Sequence, residues 1–467
     1  MSFALIALAV ALALATAMWL SRRPQTWLMP SDAYFILFFL TAAVVPFINL
    51  RAESDFAISY PFSNQTIATS LNCLTISCLA FALVWFFRKP IVMPDFQGRP
   101  DYLNEGAARA ANRRTASLLR SSTFLLVAMI AISLLFPNYF SYKLRVFEFI
   151  TGQIDSDEYQ LVRRVLFAGD FIVAEVIGRL RFSLLPVLFV AATILSIRKF
   201  GVAWSMPLMA LLFTLGPASM SKFPIFIYVG YFAISALMLK RFQWPFKFRN
   251  ALTVVAILLP LLIVLLTSIY YLQYADSLHG LESLPSVISL SYFRVFVANY
   301  NGLLQYITVF RSGDVGVEGS VIAPIFGLET RNLDQEVAIW FLGPVRGLLT
   351  TFPTVYVGNA FATFGYLGVA VFSAAVAGIL WAIDVIYSKI RQRELRIIYY
   401  STMIINTTFF SIMAAPTALT TYGCAIIPVL VYVSDYYLAR GGRGSVAGRR
   451  RPFVRGPVYP SRKSVIR

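Results

Sequence analysis

The chain has 467 residues, of which 58% are hydrophobic and only 13% are charged. Soluble domains average roughly 45–50% apolar residues, so this composition excludes an ordinary soluble protein and indicates a membrane protein. The long runs are apolar on every side, without the alternation that a barrel strand requires, and they predict an all-α fold.

Eleven apolar runs are candidate transmembrane helices. The run 1–20 has no basic segment before it, so it reads as a retained first span rather than a secretory signal. The other ten runs occupy residues 33–50, 67–87, 123–136, 182–197, 202–216, 224–239, 251–271, 361–387, 397–414 and 424–438.

The basic residues orient these spans. With the N-terminus outside, the cytoplasmic segments 22–23, 88–120, 198–199, 240–249, 389–396 and 440–467 hold 28 of the 40 lysines and arginines. Cytoplasmic loops are enriched in basic residues, so we expect the N-terminus outside and the C-terminus in the cytoplasm. The sequence thus divides into a multi-pass domain, 1–439, and a disordered basic tail, 440–467.

This segregation also explains the net charge of +18. The tail is suited to anionic lipid, and nucleic-acid binding is the weaker interpretation. The cytoplasmic segment 88–121 predicts a basic surface helix. Cys73, Cys78 and Cys424 form no CxxC motif and predict neither a disulfide framework nor a metal site.

Two outer loops interrupt the spans, 138–170 and 273–358, and the second is chemically dense. It contains the only histidine of the chain, His279, and seven carboxylates between Asp276 and Glu336. Long loops in membrane proteins commonly carry function. Its aromatic stretch 291–310 predicts a helix in the membrane interface, and the glycine-spaced segment 312–320 predicts a loop tip that carries Arg311 next to it.

Four cations near the predicted outer face lack an acidic neighbour three or four residues away on a helix. Glu175 and Arg179 neutralise each other at that spacing, but Arg181 has no such partner. Lys222, Arg294 and Arg346 share this property. Each alone is compatible with snorkelling to lipid phosphates. Together they favour a shared anionic ligand, for which a lipid-linked diphosphate is the best candidate, because guanidinium groups bind phosphate oxygens and stabilise a leaving diphosphate.

An acceptor hydroxyl would then need a base. Asp334 and Glu336 are the carboxylate candidates, and His279 is the third candidate. Tyr292, Tyr300, Tyr306 and Trp340 are suited either to stacking on sugars or to anchoring an interfacial helix. One histidine and no thiol cluster leave no obvious metal ligands, so we expect no metal and no cofactor.

The segment GNAFATFGYLGVAVFSAAVAGIL after a long late loop, and the turn PASMSKFPIFIYVGYF, resemble the Wzy-type O-antigen and oligosaccharide repeat-unit polymerases. Lys222 stands where that family commonly has an arginine, and the spaced Arg-x10-Gly loop motif of some members is absent. The resemblance implies a membrane-embedded glycosyltransferase that joins polyprenyl-diphosphate-linked repeats on the periplasmic face, without nucleotide sugar or metal. It also implies a bacterial inner membrane, in which the predicted outer N-terminus is periplasmic.

The expected partners are the lipid-linked oligosaccharide substrate and membrane lipids, with a chain-length regulator and a flippase as further candidates and no nucleic acid. Two alternatives remain open. The related O-antigen ligases share the architecture and transfer the glycan to lipid A core instead. A transporter or flippase of lipid-linked sugars is the other alternative, although the chain has no internal repeat of the transporter kind.

The orientation gives a first prediction. Reporter fusions after Leu20 and after Arg440 should both report a cytoplasmic position, because each point adjoins a basic segment, 22–23 or 440–467. A periplasmic reading at Arg440 would contradict the predicted outward-facing loops.

Overall fold

The computed structural model describes residues 2–22, 28–38, 45–49, 62–91, 105–150, 180, 182–218, 222–240, 297–319, 327–329, 331–347, 355–411, 413, 418–419 and 422–447, although not every side chain within these ranges. This part of the chain contains helices and connecting turns but no strand, which confirms the predicted all-α class.

The helices are numbered in chain order. They are α1 (Ser2–Arg22), α2 (Pro30–Phe38), α3 (Val45–Asn49), α4 (Asn64–Phe87), α5 (Glu105–Leu134), α6 (Pro137–Ile150), α7 (Leu184–Leu215), α8 (Lys222–Lys240), α9 (Ala298–Val309), α10 (Leu333–Gly347), α11 (Tyr356–Lys389), α12 (Arg393–Asn406) and α13 (Ile426–Ala447). Short 3-10 turns occupy Gly316–Gly319 and Thr407–Ser411.

Within the described residues, five helices are long and apolar enough to cross a membrane, and two shorter helices are also apolar. The five are α1, α4, α7, α11 and the part of α5 from Arg113 to Leu134; the shorter stretches are Ile227–Leu239 in α8 and Ile426–Leu438 in α13. A bilayer core needs about 20 apolar residues of helix, so these lengths are consistent with a membrane protein.

Helices α1 and α4 run side by side in the same direction. The guanidinium of Arg22 donates to the carbonyl oxygen of Phe86 at 3.0 Å, and the amide of Ile91 donates to the carbonyl oxygen of Arg22 at 3.3 Å. We call this end of the bundle, where α1 and α4 both finish, the lower end. The opposite end, where α4 begins, is the upper end.

Helix α7 is two antiparallel arms rather than one rod. Gly201 has a φ of 79°, and the hydroxyl of Ser196 donates to that of Ser205 at 2.9 Å. Nine residues of straight helix would separate these side chains by about 13.5 Å, so the chain reverses between them. The reversal falls between the predicted runs 182–197 and 202–216.

Helix α11 also reverses, at Phe364 and Gly365, whose backbone angles are not helical. The hydroxyl of Tyr356 donates to the hydroxyl of Ser373 at 2.9 Å, although 17 residues of straight helix would span about 25 Å. Both hydroxyls also lie 2.8–3.0 Å from the hydroxyl of Ser77 in α4. This buried triangle holds the two arms of α11 against α4.

The reversal frees carbonyl groups that the loop after α9 satisfies. The amide of Gly313 donates to the carbonyl oxygen of Phe361, and that of Val315 to the carbonyl oxygen of Ala362, both at 3.2 Å. Buried backbone groups without a partner are costly at membrane depth. These two bonds therefore fix the loop to the first arm of α11.

Other boundaries differ from the sequence expectations. Helix α5 runs unbroken from Glu105 into the apolar run, so the predicted surface helix and the following span form one helix. Helix α13 continues to Ala447, so the first eight residues of the predicted tail are helical, and 448–467 lie outside the described residues. The run 251–271 and much of both predicted outer loops also lie outside them.

The α11 reversal gives a second prediction. Gly365 has a φ of 63°, and an added Cβ would lie 2.3 Å from the Ser312 hydroxyl oxygen. Gly365→Ala should therefore lower the midpoint of thermal unfolding in detergent, because the alanine must hold a positive φ and must also displace the Ser312 hydroxyl.

Gly201→Ala is the matched control, because Gly201 also has a positive φ, of 79°, but a Cβ added there would have nothing within 4 Å. Equal destabilisation by the two changes would contradict the close approach of Ser312 to the reversal.

Candidate functional site

A cavity of about 740 Å³ lies at the upper end of the bundle, between three parts of the chain that are distant in sequence. The first turns of α4, the end of α9 with the residues after it, and the reversal of α11 supply its walls. The lining residues are Ser63, Gln65, Thr66, Thr69, Ile307, Thr308, Phe310, Arg311, Ser312, Phe361 and Tyr366.

The α4 wall is polar because the helix begins with a capping turn. The Ser63 hydroxyl accepts a hydrogen bond from the Thr66 amide at 3.0 Å, and no acidic residue occupies the first turn. The exposed amides at a helix N-terminus carry a partial positive charge. Gln65 and Thr69 extend this polar face further into the helix, so the α4 wall offers hydrogen bonds and a positive potential.

The second wall depends on how α9 packs. Helix α9 runs opposite to α4, since the Tyr300 hydroxyl lies 3.1 Å from the Ser70 hydroxyl while Thr308 and Phe310 reach the cavity beside Ser63. Its end therefore lies at the upper end of the bundle. This packing buries Tyr300, so that face of α9 lies inside the helix packing.

Arg311 directly follows α9 and lines the cavity. Its backbone amide donates to the Asp314 carboxylate at 2.8 Å, and the next residues bind the carbonyl groups of the α11 reversal. The sequence pattern predicted that Arg311 lies beside a loop tip. In the structure this loop folds back onto α11 and carries Arg311 into the cavity wall.

A second polar group lies on the other side of α9. The Tyr306 hydroxyl donates to the Asp334 carboxylate, and Tyr306 is fully buried. Burial raises the pKa of Asp334, and the hydrogen bond from Tyr306 partly opposes this shift. Asp334 therefore takes up a proton more readily than an ordinary surface aspartate.

Glu336 has a different environment. Arg331 binds it through two contacts, from Nε to Oε1 at 3.0 Å and from Nη2 to Oε2 at 2.5 Å. Asn332 precedes this turn, and its side-chain oxygen lies 3.4 Å from the Gln335 amide, which is the position of a helix-capping group. Of the two carboxylates predicted as bases, Glu336 is neutralised and Asp334 is not.

An apolar layer of side chains connects the cavity wall with the Tyr306–Asp334 pair. The Tyr306 and Phe310 rings are 5.7 Å apart, and both pack with Leu333 and Val337 of α10 and Ala362 of α11. Phe310 also lines the cavity. Asp334 does not line it, but its carboxylate accepts a hydrogen bond from Tyr306, whose ring packs on Phe310 in the cavity wall.

Most of the predicted cations are not tested by this geometry. Arg181, Arg294 and His279 lie outside the described residues. Lys222 begins α8 and Arg346 lies near the end of α10, but the side chains of both lie outside the described part of the chain.

The aromatic residues that were candidates for sugar stacking separate into two groups. Tyr300 and Tyr306 are buried in the helix packing and cannot reach a sugar, whereas Trp340 is 49% exposed. Tyr292 lies outside the described residues. The aromatic residues that line the cavity are instead Phe310, Phe361 and Tyr366, which the sequence did not single out, and Tyr366 is the exposed ring among these three.

Comparisons of the chain with protein-family models, curated proteins and solved structures find no significant match. In the described part of the chain, no group of three or more histidine, cysteine, aspartate or glutamate residues is placed to hold a metal ion. The site must therefore be interpreted from its own residues.

The Asp334 environment gives a third prediction. Because burial disfavours the charged carboxylate, wild-type protein should gain stability relative to Asp334→Asn as the pH falls through the raised folded-state pKa toward the ordinary unfolded-state value. Thermal unfolding of both proteins across this pH range measures the difference.

Tyr306→Phe removes the donor to this carboxylate and should cost roughly 1.5–3 kcal/mol above that pKa. Glu336→Gln at the exposed ion pair is the control and should change stability by about 0–1 kcal/mol. A pH-independent difference between wild type and Asp334→Asn would contradict the raised pKa.

Proposed function

We propose that the protein is a membrane-embedded glycosyltransferase that polymerises polyprenyl-diphosphate-linked oligosaccharide repeat units on the periplasmic face. The observation that carries the proposal is the upper cavity. Its walls combine a guanidinium, a helix N-terminus, hydroxyl and amide groups, and aromatic rings. A lipid-linked glycan presents phosphate, hydroxyl and apolar ring faces, which match these groups.

The distribution of basic residues supports a periplasmic position for this cavity. Arg22 and Arg88 lie at the lower end, where Arg88 packs its guanidinium 4.5 Å from the centre of the Trp381 ring in α11. Arg198, at the tip of α7, binds Glu394 at the start of α12 at 2.5 Å. Basic residues mark the cytoplasmic side, so the lower end is cytoplasmic in this proposal and the cavity faces outward.

The proposal also includes the predicted eleven-span topology, in this orientation. The two arms of α7 support two spans where one continuous helix would give one. The resemblance to Wzy-type polymerases supplies the reaction class, and the N-terminus is periplasmic and the C-terminus cytoplasmic in this scheme.

In the proposed reaction, a hydroxyl of the acceptor repeat attacks the anomeric carbon of the donor sugar, and the bond from that carbon to the carrier diphosphate breaks. The acceptor proton passes to a base, and Asp334 is the best described candidate because its raised pKa suits a general base. His279 remains an alternative. The leaving diphosphate takes the bonding electron pair.

The charge that develops on the diphosphate needs cations. Arg181, Lys222, Arg294 and Arg346 retain this proposed role from the sequence, and a preorganised cation at such a position is worth several kcal/mol in the transition state. Arg311 is a separate cation in the cavity wall, where its loop docks onto α11, and it is not one of these four.

The fourth prediction concerns elongation of a defined polyprenyl-diphosphate oligosaccharide by purified protein in lipid nanodiscs. Wild type should produce a ladder of chain lengths, and the ladder should persist in EDTA because the cations take the electrostatic role of a metal. Asp334→Asn should lower the rate about 10²–10⁴-fold.

Glu148→Gln is the control, since Glu148 forms a surface ion pair with Arg145 on α6, away from the cavity. Loss of the ladder on chelation and its return with magnesium would contradict the metal-free mechanism. Transfer of a whole glycan to lipid A core without a ladder would indicate a ligase.

A further inference from the structure

The lining of the upper cavity is suited to a sugar more than to a bare phosphate. Six side chains offer hydroxyl or amide groups, and these are Ser63, Gln65, Thr66, Thr69, Thr308 and Ser312. The partly exposed Tyr366 ring completes the walls, and it rests edge to face on the buried Phe361 ring with centroids 5.4 Å apart. A pyranose has hydroxyl groups at its edge and an apolar face, so it uses both kinds of wall, whereas a phosphate has no group for the ring.

The volume is adequate for this ligand class. Small-molecule sites usually measure about 300–1,000 Å³, and the cavity measures about 740 Å³. Tyr366 is 39% exposed, so its ring is open to a ligand, unlike the buried Tyr300 and Tyr306 rings of α9.

The charge of the lining residues narrows the class of ligand further. Among the lining residues that the structure describes, Arg311 contributes one guanidinium and none contributes a carboxylate. Asp314, the acid next to it, accepts a hydrogen bond from the Arg311 backbone amide. The N-terminus of α4 adds partial positive charge to the opposite wall. A neutral sugar would leave this potential uncompensated, while a sugar carboxylate would match it.

We propose that the cavity binds a glycan residue that carries a carboxylate, of the uronic-acid class, with Arg311 bound to the carboxylate and the Tyr366 ring against the sugar face. This inference rests on the proposed function for the origin of the glycan, and it specifies the substrate class. Arg311 is then a specificity-determining residue, and the diphosphate binds at the other cations.

The test measures binding of free oligosaccharides, without polymerisation. Full-length protein in nanodiscs is titrated calorimetrically with a uronic-acid-containing disaccharide, with its carboxyl-reduced neutral counterpart and with inorganic pyrophosphate. The acidic disaccharide should bind about 10- to 100-fold more tightly than the neutral one, the range of a charged hydrogen-bonded pair. Pyrophosphate should not displace it.

Three variants separate the contributions. Arg311→Ala should remove the preference for the acidic disaccharide, and Arg311→Lys should retain part of it because the charge remains without bidentate geometry. Tyr366→Ala should weaken the binding of both disaccharides by the same factor. Arg145→Ala, a surface arginine on α6, is the matched control and should change nothing.

Equal affinity for the acidic and neutral disaccharides would overturn the proposal, as would no detectable binding of the acidic disaccharide at millimolar concentration. Displacement by pyrophosphate that depends on Arg311 would also overturn it and would assign the cavity to the diphosphate. If the protein selects the acidic sugar but does not elongate chains, this inference is upheld and the polymerase function is refuted. If it elongates chains without selecting the acidic sugar, the polymerase function is upheld and this inference is refuted.

Discussion

The structure depends on the reversal of α11 at Phe364 and Gly365. A break in a helix at membrane depth exposes carbonyl groups that lipid cannot satisfy. Here the amides of Gly313 and Val315 satisfy two of them, and the Ser77, Tyr356 and Ser373 hydroxyls join both arms to α4. The chain can turn back inside an apolar bundle only because these polar groups satisfy one another.

This constraint also builds the cavity. The loop that satisfies the α11 carbonyls begins with Arg311, so the bonds that stabilise the break also set the position of the cation. The first turns of α4 lie opposite, because α9 runs against α4 and brings Thr308 and Phe310 beside Ser63. A polar, positively charged cavity forms at one end of the bundle while the arginines Arg22, Arg88 and Arg198 gather at the other end. The proposed outward-facing chemistry follows from that separation.

Sequence reasoning recovered the helical class and the apolar runs on each side of Gly201. These features depend on local composition and turn chemistry. The reversal of α11 was missed because a glycine inside a continuous apolar run reads like a tolerated helix glycine; only the contact between Tyr356 and Ser373 decides otherwise. The cavity was missed for two reasons. The predicted span began at 67 and excluded the capping turn at Ser63, and Arg311 was placed by its linear position in a loop rather than by the docking of that loop.

Photo-crosslinking with a lipid-linked oligosaccharide that carries a photoreactive group on its terminal sugar tests the central claim most directly. The protein is irradiated in nanodiscs, and the modified peptides are mapped by mass spectrometry. The account predicts crosslinks to the cavity walls, in segments 63–69, 307–312 and 361–366, and their loss when unlabelled substrate is added in excess. Crosslinks confined to the lower end, around Arg88 or Arg198, or crosslinks that excess substrate does not reduce, would contradict it.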